Sequence, residues 1–290
     1  MERVIQTLPE RELVRGMTSL DNRLYVLRAN NTSEQVDVYD IDSSRLLHCL
    51  TVPLRLRGLY YTLIQSHLPR LRGLRDIIAC AYNRCAYISD CLQESVLRVA
   101  LPGPDAAVTQ WPVGDEHIRL SISVRHGVLV SCRTVRKIKE FSTDGELLQT
   151  VDLSQDVLSP LHAIQLCSGE YIVCHGLLDD PVHRVCLIGS DGQVVKSYGG
   201  VKGSGSQQMN VPAHLAVDRN GFVFVVDLNN SRVLLLSPAL TYMREVVTSE
   251  QLKWNPAGIY LDVDTQRLYV ADSEFIDGKW KVGRVIVVSV

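Results

Sequence analysis

The chain has 290 residues, a length that allows one or two domains. It carries 30 Lys and Arg against 32 Asp and Glu, and 46% of its residues are hydrophobic, which excludes disordered and low-complexity classes. No apolar run approaches the ~20 residues of a membrane-spanning helix, so no membrane partner is expected. The near-neutral charge argues against a dedicated nucleic-acid domain.

The N-terminal segment is charged throughout and lacks the apolar core of a secretory signal peptide. We therefore expect a cytoplasmic protein, or the end of a longer chain. The eight cysteines form no CxxC pair, which removes the main support for a zinc-ribbon or RING-type site. Most of them stand in apolar, strand-like runs, so we expect buried and reduced thiols.

One unit recurs along the chain: an apolar strand, a polar turn, a second apolar strand, a turn rich in Asp and Asn, and a third strand. The best copy extends from Val211 to Val246, and the copies follow one another at roughly 45 residues, a period typical of propeller blades. Two intervals are longer. One contains the Gly-rich stretch 199–210, and the other contains a duplicated RLRGL that predicts an inserted loop at 54–73. The six predicted blades lie near residues 13–53, 74–113, 117–153, 159–198, 209–248 and 253–290.

Each blade of a propeller is a small antiparallel sheet that is packed on both faces, so its strands are short and rich in Val, Ile, Leu and Tyr. The segments FVFVV, RVLLL and RLYVL have this composition. Asp144-Gly145 and Asp191-Gly192 provide the positive φ that tight hairpin turns need. No window of a dozen residues shows helical periodicity. The sequence therefore predicts a single all-β domain, a six-bladed β-propeller with four-stranded antiparallel blades.

The last predicted blade ends at the end of the chain after only its third strand, GRVIVVSV. The segment 3–8, RVIQTL, is the natural donor of the missing fourth strand. Pairing the first and last segments hides two sheet edges. We therefore predict that the ring is closed by the N-terminal strand.

The fifth copy resembles the NHL-repeat family. A Gly-rich loop at 199–210 precedes Pro212, AVDRNG follows at 216–221, and VVDLNNSRV follows at 225–233. The sixth copy lacks the family's Asn-x-Arg, and the first four keep the spacing and apolar pattern more than the motif. Partial matches in the sixth copy are Pro256, Asp262 and Ala271–Ser273. The copies cover nearly the whole chain, and the resemblance implies a six-bladed propeller.

The members of this family and its distant relatives differ in function. Some are the C-terminal propellers of tripartite-motif ubiquitin ligases, which bind protein or RNA. Others are peptide-amidating lyases that hold zinc in the central channel, and more distant six-bladed propellers are metal-dependent lactonases. The resemblance implies a functional face at the channel mouth, formed by the loops before the first strands and between the second and third strands. This chain has no RING or B-box cysteines, so ligase activity would need another chain.

Four polar residues occupy equivalent positions at the start of consecutive first strands and are expected at the channel mouth: Asp76, Arg119, His162 and His214. With Asp76, the two histidines are residue types that bind Zn²⁺ or Ca²⁺, so a metal-dependent lyase or hydrolase is one alternative. The amidating lyases carry their histidine one residue earlier than His214, where this chain has Ala213. Arg119 would also place a positive charge beside the ion. We therefore favour a polar mouth without a cofactor.

The same face can be interpreted as an anion-binding mouth, because Arg15 and Arg75 stand next to two of these positions and join Arg119. The inserted loop adds Arg55, Arg57, Arg70 and Arg72. RNA binding is therefore a further alternative. Aromatic residues that stack on bases are sparse, with only Tyr60 and Tyr61 in that loop.

Trp254 and Trp280 fall in predicted loops on the same face, Trp254 before Pro256 and Trp280 in the long loop of the last blade. Tryptophan and arginine dominate the hot spots of protein interfaces. We therefore predict a monomeric, non-catalytic scaffold that binds a protein partner through the channel-mouth face. The predicted contact residues are Arg15, Arg75, Arg119, His162, His175, His214, Trp254 and Trp280.

Overall fold

A computed structural model describes residues 4–7, 11–29, 34–51, 73–101, 108–276 and 279–290. Within these ranges the chain forms 24 β-strands and one 3₁₀ turn, Leu228–Asn230. The strands form six blades of four antiparallel strands arranged in a ring, so the predicted all-β, six-bladed propeller is confirmed. The predicted insert at 54–73 lies outside the described residues except for Gly73.

In the first three blades, strands that follow one another in the chain pair antiparallel. Blade 1 contains β2 (Arg11–Leu20), β3 (Arg23–Ala29), β4 (Glu34–Asp40) and β5 (Leu46–Thr51). Blade 2 contains β6 (Leu74–Cys80), β7 (Cys85–Asp90), β8 (Ser95–Ala100) and β9 (Val108–Pro112). Blade 3 contains β10 (Ile118–Ile122), β11 (Val128–Cys132), β12 (Lys137–Phe141) and β13 (Leu147–Asp152).

The next two blades repeat this order, and the last begins in the same way. Blade 4 contains β14 (Pro160–Gln165), β15 (Tyr171–His175), β16 (Val182–Ile188) and β17 (Val194–Val201). Blade 5 contains β18 (Pro212–Val217), β19 (Val223–Asp227), β20 (Arg232–Leu236) and β21 (Tyr242–Val247). Blade 6 begins with β22 (Asn255–Asp262), β23 (Arg267–Ile276) and β24 (Lys279–Ser289). First strands of neighbouring blades contact one another around the central channel.

The ring is closed by the N-terminal strand, as predicted. Strand β1 (Val4–Thr7) pairs antiparallel with β24, with Val4 opposite Val288 and Thr7 opposite Ile286. The chain then crosses into blade 1, where the start of β2 also pairs with β24, Arg11 with Gly283. Blades 1 and 6 are therefore joined by backbone hydrogen bonds, and two strand edges are covered.

The apolar core is divided into six clusters, each packed between one pair of neighbouring blades. Alternate residues of a central strand serve two clusters. In β20, Val233 packs toward blade 6 and Leu234 toward blade 4, and both are fully buried. This arrangement explains the continuous apolar runs in the sequence, because both faces of each blade are covered. Burying one such side chain contributes about 1.5–3 kcal/mol.

Buried carboxylate–arginine pairs join the second and third strands in three blades. In blade 1, Arg28 on the second strand lies 2.9 Å from Asp37 on the third, and in blades 5 and 6 the order is reversed. Asp227 lies 2.8 Å from Arg232 in blade 5, and Asp272 lies 2.7 Å from Arg284 in blade 6. The sixth copy lacks the family's Asn-x-Arg in sequence, but Arg284 pairs opposite Asp272 across the long β23–β24 hairpin. Blade 6 therefore has an arginine opposite its aspartate, but this arginine lies 12 residues after the aspartate, compared with 5 residues in blade 5.

The cysteines are all free, and five of the eight are buried. Burial raises the pKa of the Cys132 and Cys174 thiols to about 12. The Asp-Gly hairpins have the expected backbone, with φ of 91° at Gly145 and 81° at Gly192. Among the described residues there is no helix with the length and apolar character needed to cross a membrane.

Candidate functional site

Five of the six first strands carry an irregularity at the same place. Their pairing with the second strand skips one residue, and the residue after the skip is the position predicted at the channel. The skipped residues are Arg15, Arg75, Leu161, Ala213 and Ala257. Blade 3 differs, because its first strand pairs without a skip and carries Arg119 at that position. Bulges bend a strand and re-aim its side chains, so the repeated skip shapes the channel mouth.

Asp76 is the centre of a buried polar cluster in the channel. Its Oδ2 accepts the backbone amide of Leu120 at 3.0 Å, and its Oδ1 lies 3.9 Å from both Arg119 Nη1 and His214 Nε2. Burial opposes ionisation of this carboxyl, but the contact with His214 and the positive charge of Arg119 outweigh burial. They lower the pKa of Asp76 to about 2. The carboxylate therefore stays charged and connects blades 2, 3 and 5.

His162 uses both ring nitrogens to hold the backbone of neighbouring blades. Its Nδ1 accepts the amide of Leu215 at 3.3 Å, so the proton lies on Nε2, which donates to the carbonyl of Leu120 at 3.0 Å. Burial, together with the adjacent His214, lowers the pKa of His162 to about 3. His162 is therefore a neutral histidine that ties blade 4 to blades 3 and 5.

The predicted metal ligands come together, since donor atoms of Asp76, His162 and His214 lie within 4.8 Å of one another. The donor chemistry nevertheless does not fit a resident ion. His162 would have to break its bond to Leu215 or to Leu120 to free a nitrogen lone pair. Calcium prefers six to eight oxygen ligands, and this cluster holds one carboxylate. The positive charge of Arg119, 3.9 Å from Asp76, also opposes a cation.

A cavity of about 160 Å³ is lined by residues of blades 2, 3, 4 and 5, and it shares Arg119 with the surroundings of Asp76. Its polar lining consists of Arg75, His117, Arg119 and Arg133. Its apolar lining consists of Cys91, Ile118, Pro160, Leu161 and Ala213. None of these nine residues is acidic. We call this cavity the arginine pocket.

The guanidinium group of Arg119 is fixed by the backbone of two other blades. Its Nη1 donates to the carbonyl of Arg75 at 2.9 Å and to that of Arg15 at 3.4 Å. Burial and the charge of Arg75 lower the pKa of Arg15 to about 9. Burial also lowers the pKa of Arg75, and burial with the charge of Arg75 lowers that of Arg133. Positive charge is therefore concentrated on this side of the mouth.

The other predicted contact residues have different surroundings. His175 is fully buried, and its Nδ1 contacts the carbonyl of Leu158 at 3.1 Å, so it cannot touch a partner directly. Trp254 is half-buried on the loop before β22, with Lys253 Nζ 4.5 Å from its ring. Trp280 was expected in a loop, but its backbone pairs with Phe275 in an extended hairpin. The Trp280 side chain lies outside the described part of the chain.

Of the four polar residues that line the arginine pocket, sequence reasoning predicted Arg75 and Arg119 and missed His117 and Arg133. Both flank strands of blade 3 on the mouth side, and the amide of Arg133 donates to the carbonyl of His117 at 3.1 Å. His117 directly precedes the first strand of blade 3, and Arg133 directly follows its second strand. These positions could have identified both residues. No sequence motif identifies them, because they form a pocket only together with residues of other blades.

No protein-family model matches the chain, and no curated protein matches it in sequence. Solved structures do resemble it. The PQQ-bound aldose sugar dehydrogenase of Streptomyces coelicolor has a TM-score of 0.64 and 12% identity over 99% of this chain and 98% of that one. An inactive virginiamycin B lyase of Staphylococcus aureus with quinupristin has a TM-score of 0.60 and 8% identity over 97% and 99%.

The beta-propeller domain of Cps50 (Swd1) from Myceliophteria thermophila has a TM-score of 0.57 and 11% identity over 96% of this chain and 84% of that one. All three identities are low, so these similarities establish the fold and leave the activity open. The two enzymes differ in chemistry, which illustrates how one fold supports unrelated sites.

Proposed function

We propose that this propeller is a non-catalytic recognition domain that binds a protein partner through its channel-mouth face. The observation that carries the proposal is the mixed character of that face, where the arginine pocket lies among exposed apolar side chains. Val135, after β11, is 40% exposed, and Leu178, after β15, is 56% exposed. Trp254 lies on the same face. Arginine, aromatic and apolar side chains together are typical of protein interfaces.

The buried cluster below the mouth supports a binding role over a catalytic one. Both ring nitrogens of His162 hold backbone groups, and Asp76 accepts the amide of Leu120. A general base or metal ligand needs a free lone pair; His162 has none, and of the two histidines only His214 has a ring nitrogen, Nδ1, without a hydrogen-bond partner. These bonds instead hold the first strands in a fixed arrangement. A rigid mouth loses little conformational freedom on binding, which favours affinity.

The test compares exposed apolar residues on opposite faces of the ring. Leu178→Asp changes the channel-mouth face, and Tyr82→Asp changes the turn between β6 and β7, where Tyr82 is 76% exposed. Proteins captured by the wild-type domain are purified, and their affinities for the three forms are measured by calorimetry. We expect a partner that binds Tyr82→Asp normally and Leu178→Asp at least tenfold more weakly. Equal affinity for all three forms would overturn the proposal.

The metal-dependent alternative is tested on the same preparations. Wild-type protein and the His214→Ala variant are titrated with Zn²⁺ and with Ca²⁺, and bound metal is measured after desalting. We expect no stoichiometric metal in either form. One ion per wild-type chain, lost in His214→Ala, would replace the recognition role with a metal-dependent lyase or hydrolase.

The NHL relationship is also part of our proposal. The Gly-rich loop at 199–210 and the Asp227–Arg232 pair in blade 5 support it, and the Asp272–Arg284 pair extends the same arrangement to blade 6. If both blades share this arrangement, replacing Arg232 or Arg284 by alanine should lower the stability of the protein by similar amounts.

A further inference from the structure

We propose that the arginine pocket receives a phosphate monoester carried by a serine or threonine side chain of the protein partner. This inference rests on the proposed protein-binding function and names the chemical group that the mouth recognises. Three guanidinium groups, those of Arg75, Arg119 and Arg133, line the pocket from blades 2 and 3. Guanidinium groups bind phosphate oxygens through paired, charge-assisted hydrogen bonds.

Nearby carboxylates offset only part of the positive charge of the pocket, with Glu34 acting on Arg75 and with Asp115 and Glu116 acting on Arg133. Within the described ranges, no carboxylate lies within 4 Å of the side-chain nitrogens of Arg75 or Arg133. The oxygens of Asp115 accept the amides of His117 at 2.7 Å and Val135 at 2.9 Å, and its charge also acts on Arg133 without an ion pair within 4 Å. Asp76 lies 3.9 Å from Arg119 and from His214, so its single charge is shared. An anion in the pocket would supply the missing counter-charge.

The side chains of the pocket are arranged before any ligand binds. Arg119 Nη1 is held by the carbonyls of Arg75 and Arg15, which leaves its other guanidinium nitrogens to bind a ligand. His117 adds a ring nitrogen, Nδ1, that is buried and has no hydrogen-bond partner, although the Glu116 carboxylate lies 3.6 Å from it. Prior arrangement of donors reduces the entropy lost on binding. The pocket is therefore built to receive acceptor oxygens.

The size and lining of the cavity indicate which anion fits. Its volume of about 160 Å³ is sufficient for one phosphate group. Ile118, Leu161 and Ala213 form an apolar wall that suits the short stem of a phosphorylated side chain. A carboxylate carries one charge, whereas a phosphate monoester carries nearly two and three acceptor oxygens, which better match three arginines.

RNA phosphate is a poorer match to the same pocket. Proteins that bind single-stranded RNA stack its bases on aromatic side chains. Among the described residues that line the arginine pocket there is no Phe, Tyr or Trp. Burial is the main cause of the lowered pKa values of Arg15, Arg75 and Arg133, and repulsion between arginines adds to it, so a bound anion of any kind would relieve part of this strain on their charge.

The experiment measures binding of blocked phosphoserine, with blocked serine, blocked glutamate and a uridine hexamer as competing probes, at constant ionic strength. The variants are Arg75→Ala and Arg133→Ala, with Arg133→Lys as the conservative change. The control is Arg219→Ala on the opposite face, where the Arg219 side chain is 67% exposed. Thermal unfolding of each form without ligand shows that it is folded.

We expect blocked phosphoserine to bind wild type and Arg219→Ala equally, and Arg75→Ala and Arg133→Ala at least tenfold more weakly. Arg133→Lys should have intermediate affinity, because lysine keeps the charge and loses the paired geometry. Equal binding by all variants overturns the inference, as does stronger binding of blocked glutamate or of the uridine hexamer. If a protein partner is lost in Leu178→Asp but binds Arg75→Ala normally, the phosphate site fails while the proposed function stands. If no partner distinguishes the faces, the proposed function fails.

Discussion

The imidazole rings of His162 and His214 lie face to face, with centroids 4.0 Å apart and planes inclined by 17°. They come from the first strands of neighbouring blades, β14 and β18. Asp76, from blade 2, lies 3.9 Å from the Nε2 of His214. The stacked pair and Asp76 therefore connect blades 2, 4 and 5, whose residues are far apart in sequence. We infer that the main role of this cluster is to stabilise the ring and not to carry out a reaction.

Replacing His162 by alanine should destabilise the propeller strongly. The change removes two hydrogen bonds between blades and leaves a cavity beside His214, and we expect a loss of about 3 kcal/mol in the free energy of unfolding. Urea denaturation followed by circular dichroism measures it. His48→Ala, at an exposed position of β5, is the control and should change stability by less than about 0.5 kcal/mol. A loss below about 1 kcal/mol for His162→Ala would contradict this role.

Stability should fall as the pH drops below neutrality. Burial is the main cause that lowers the pKa of His162 to about 3 and that of His175 to about 4. An unfolded histidine has a pKa of about 6.5, so below that pH the unfolded chain takes up protons that the folded chain does not. Stability is complete above about pH 6.5 and declines toward pH 4, by about 1.4 kcal/mol per pH unit for each histidine.

The pH series can be assigned to one residue. Urea unfolding of wild type and His162→Gln at pH 7, 6 and 5 should show a loss of stability from pH 7 to pH 5 that is smaller in the variant by about 2 kcal/mol in total. Asp76 does not contribute in this range, because its carboxyl stays ionised down to about pH 2. The same slope in both proteins would mean that His162 is not held neutral in the folded state.

Two glycines at equivalent channel positions should respond differently to alanine. A Cβ at Gly16 would lie 2.9 Å from Asp76 Oδ1 and 2.9 Å from the backbone nitrogen of Ile77. A Cβ at Gly258 would meet no atom within 4 Å. We expect Gly16→Ala to lower the free energy of unfolding by about 1–3 kcal/mol and Gly258→Ala to leave it unchanged or slightly raised. Equal effects in thermal or urea unfolding would argue against close packing at Gly16.

Removing Arg284 should cost as much as removing Arg232. Each arginine neutralises a fully buried carboxylate, that of Asp272 or Asp227. A buried carboxylate left without its partner typically costs 3–5 kcal/mol, and the partial exposure of both arginines reduces this to about 2–4 kcal/mol. Arg219→Ala breaks only an exposed pair with Asp264 and should cost less than about 1 kcal/mol. If only Arg284→Ala had a small effect on the free energy of unfolding, the Asp272–Arg284 pair of blade 6 would not be equivalent to the Asp227–Arg232 pair of blade 5.

The sequence predicted the features that depend on local pattern. The short apolar strands, the roughly 45-residue period and the unpaired terminal segment were sufficient for the six-bladed fold and its closure by β1. The channel positions of Asp76, His162 and His214 also followed from the period. Arg284 was missed because the long β23–β24 hairpin separates it from Asp272, and a pattern of fixed spacing cannot follow a hairpin of variable length.

By itself, the sequence determined the architecture of this protein, because strand alternation and repeat length reflect interactions within one blade and with its neighbours. Only the tertiary structure decided the roles of the polar residues. His162 is a neutral tie between blades because its partners, Leu120 and Leu215, lie 42 and 53 residues away in the chain. The arginine pocket exists for the same reason. Its charge comes from side chains of separate blades that approach one another only when the ring is closed.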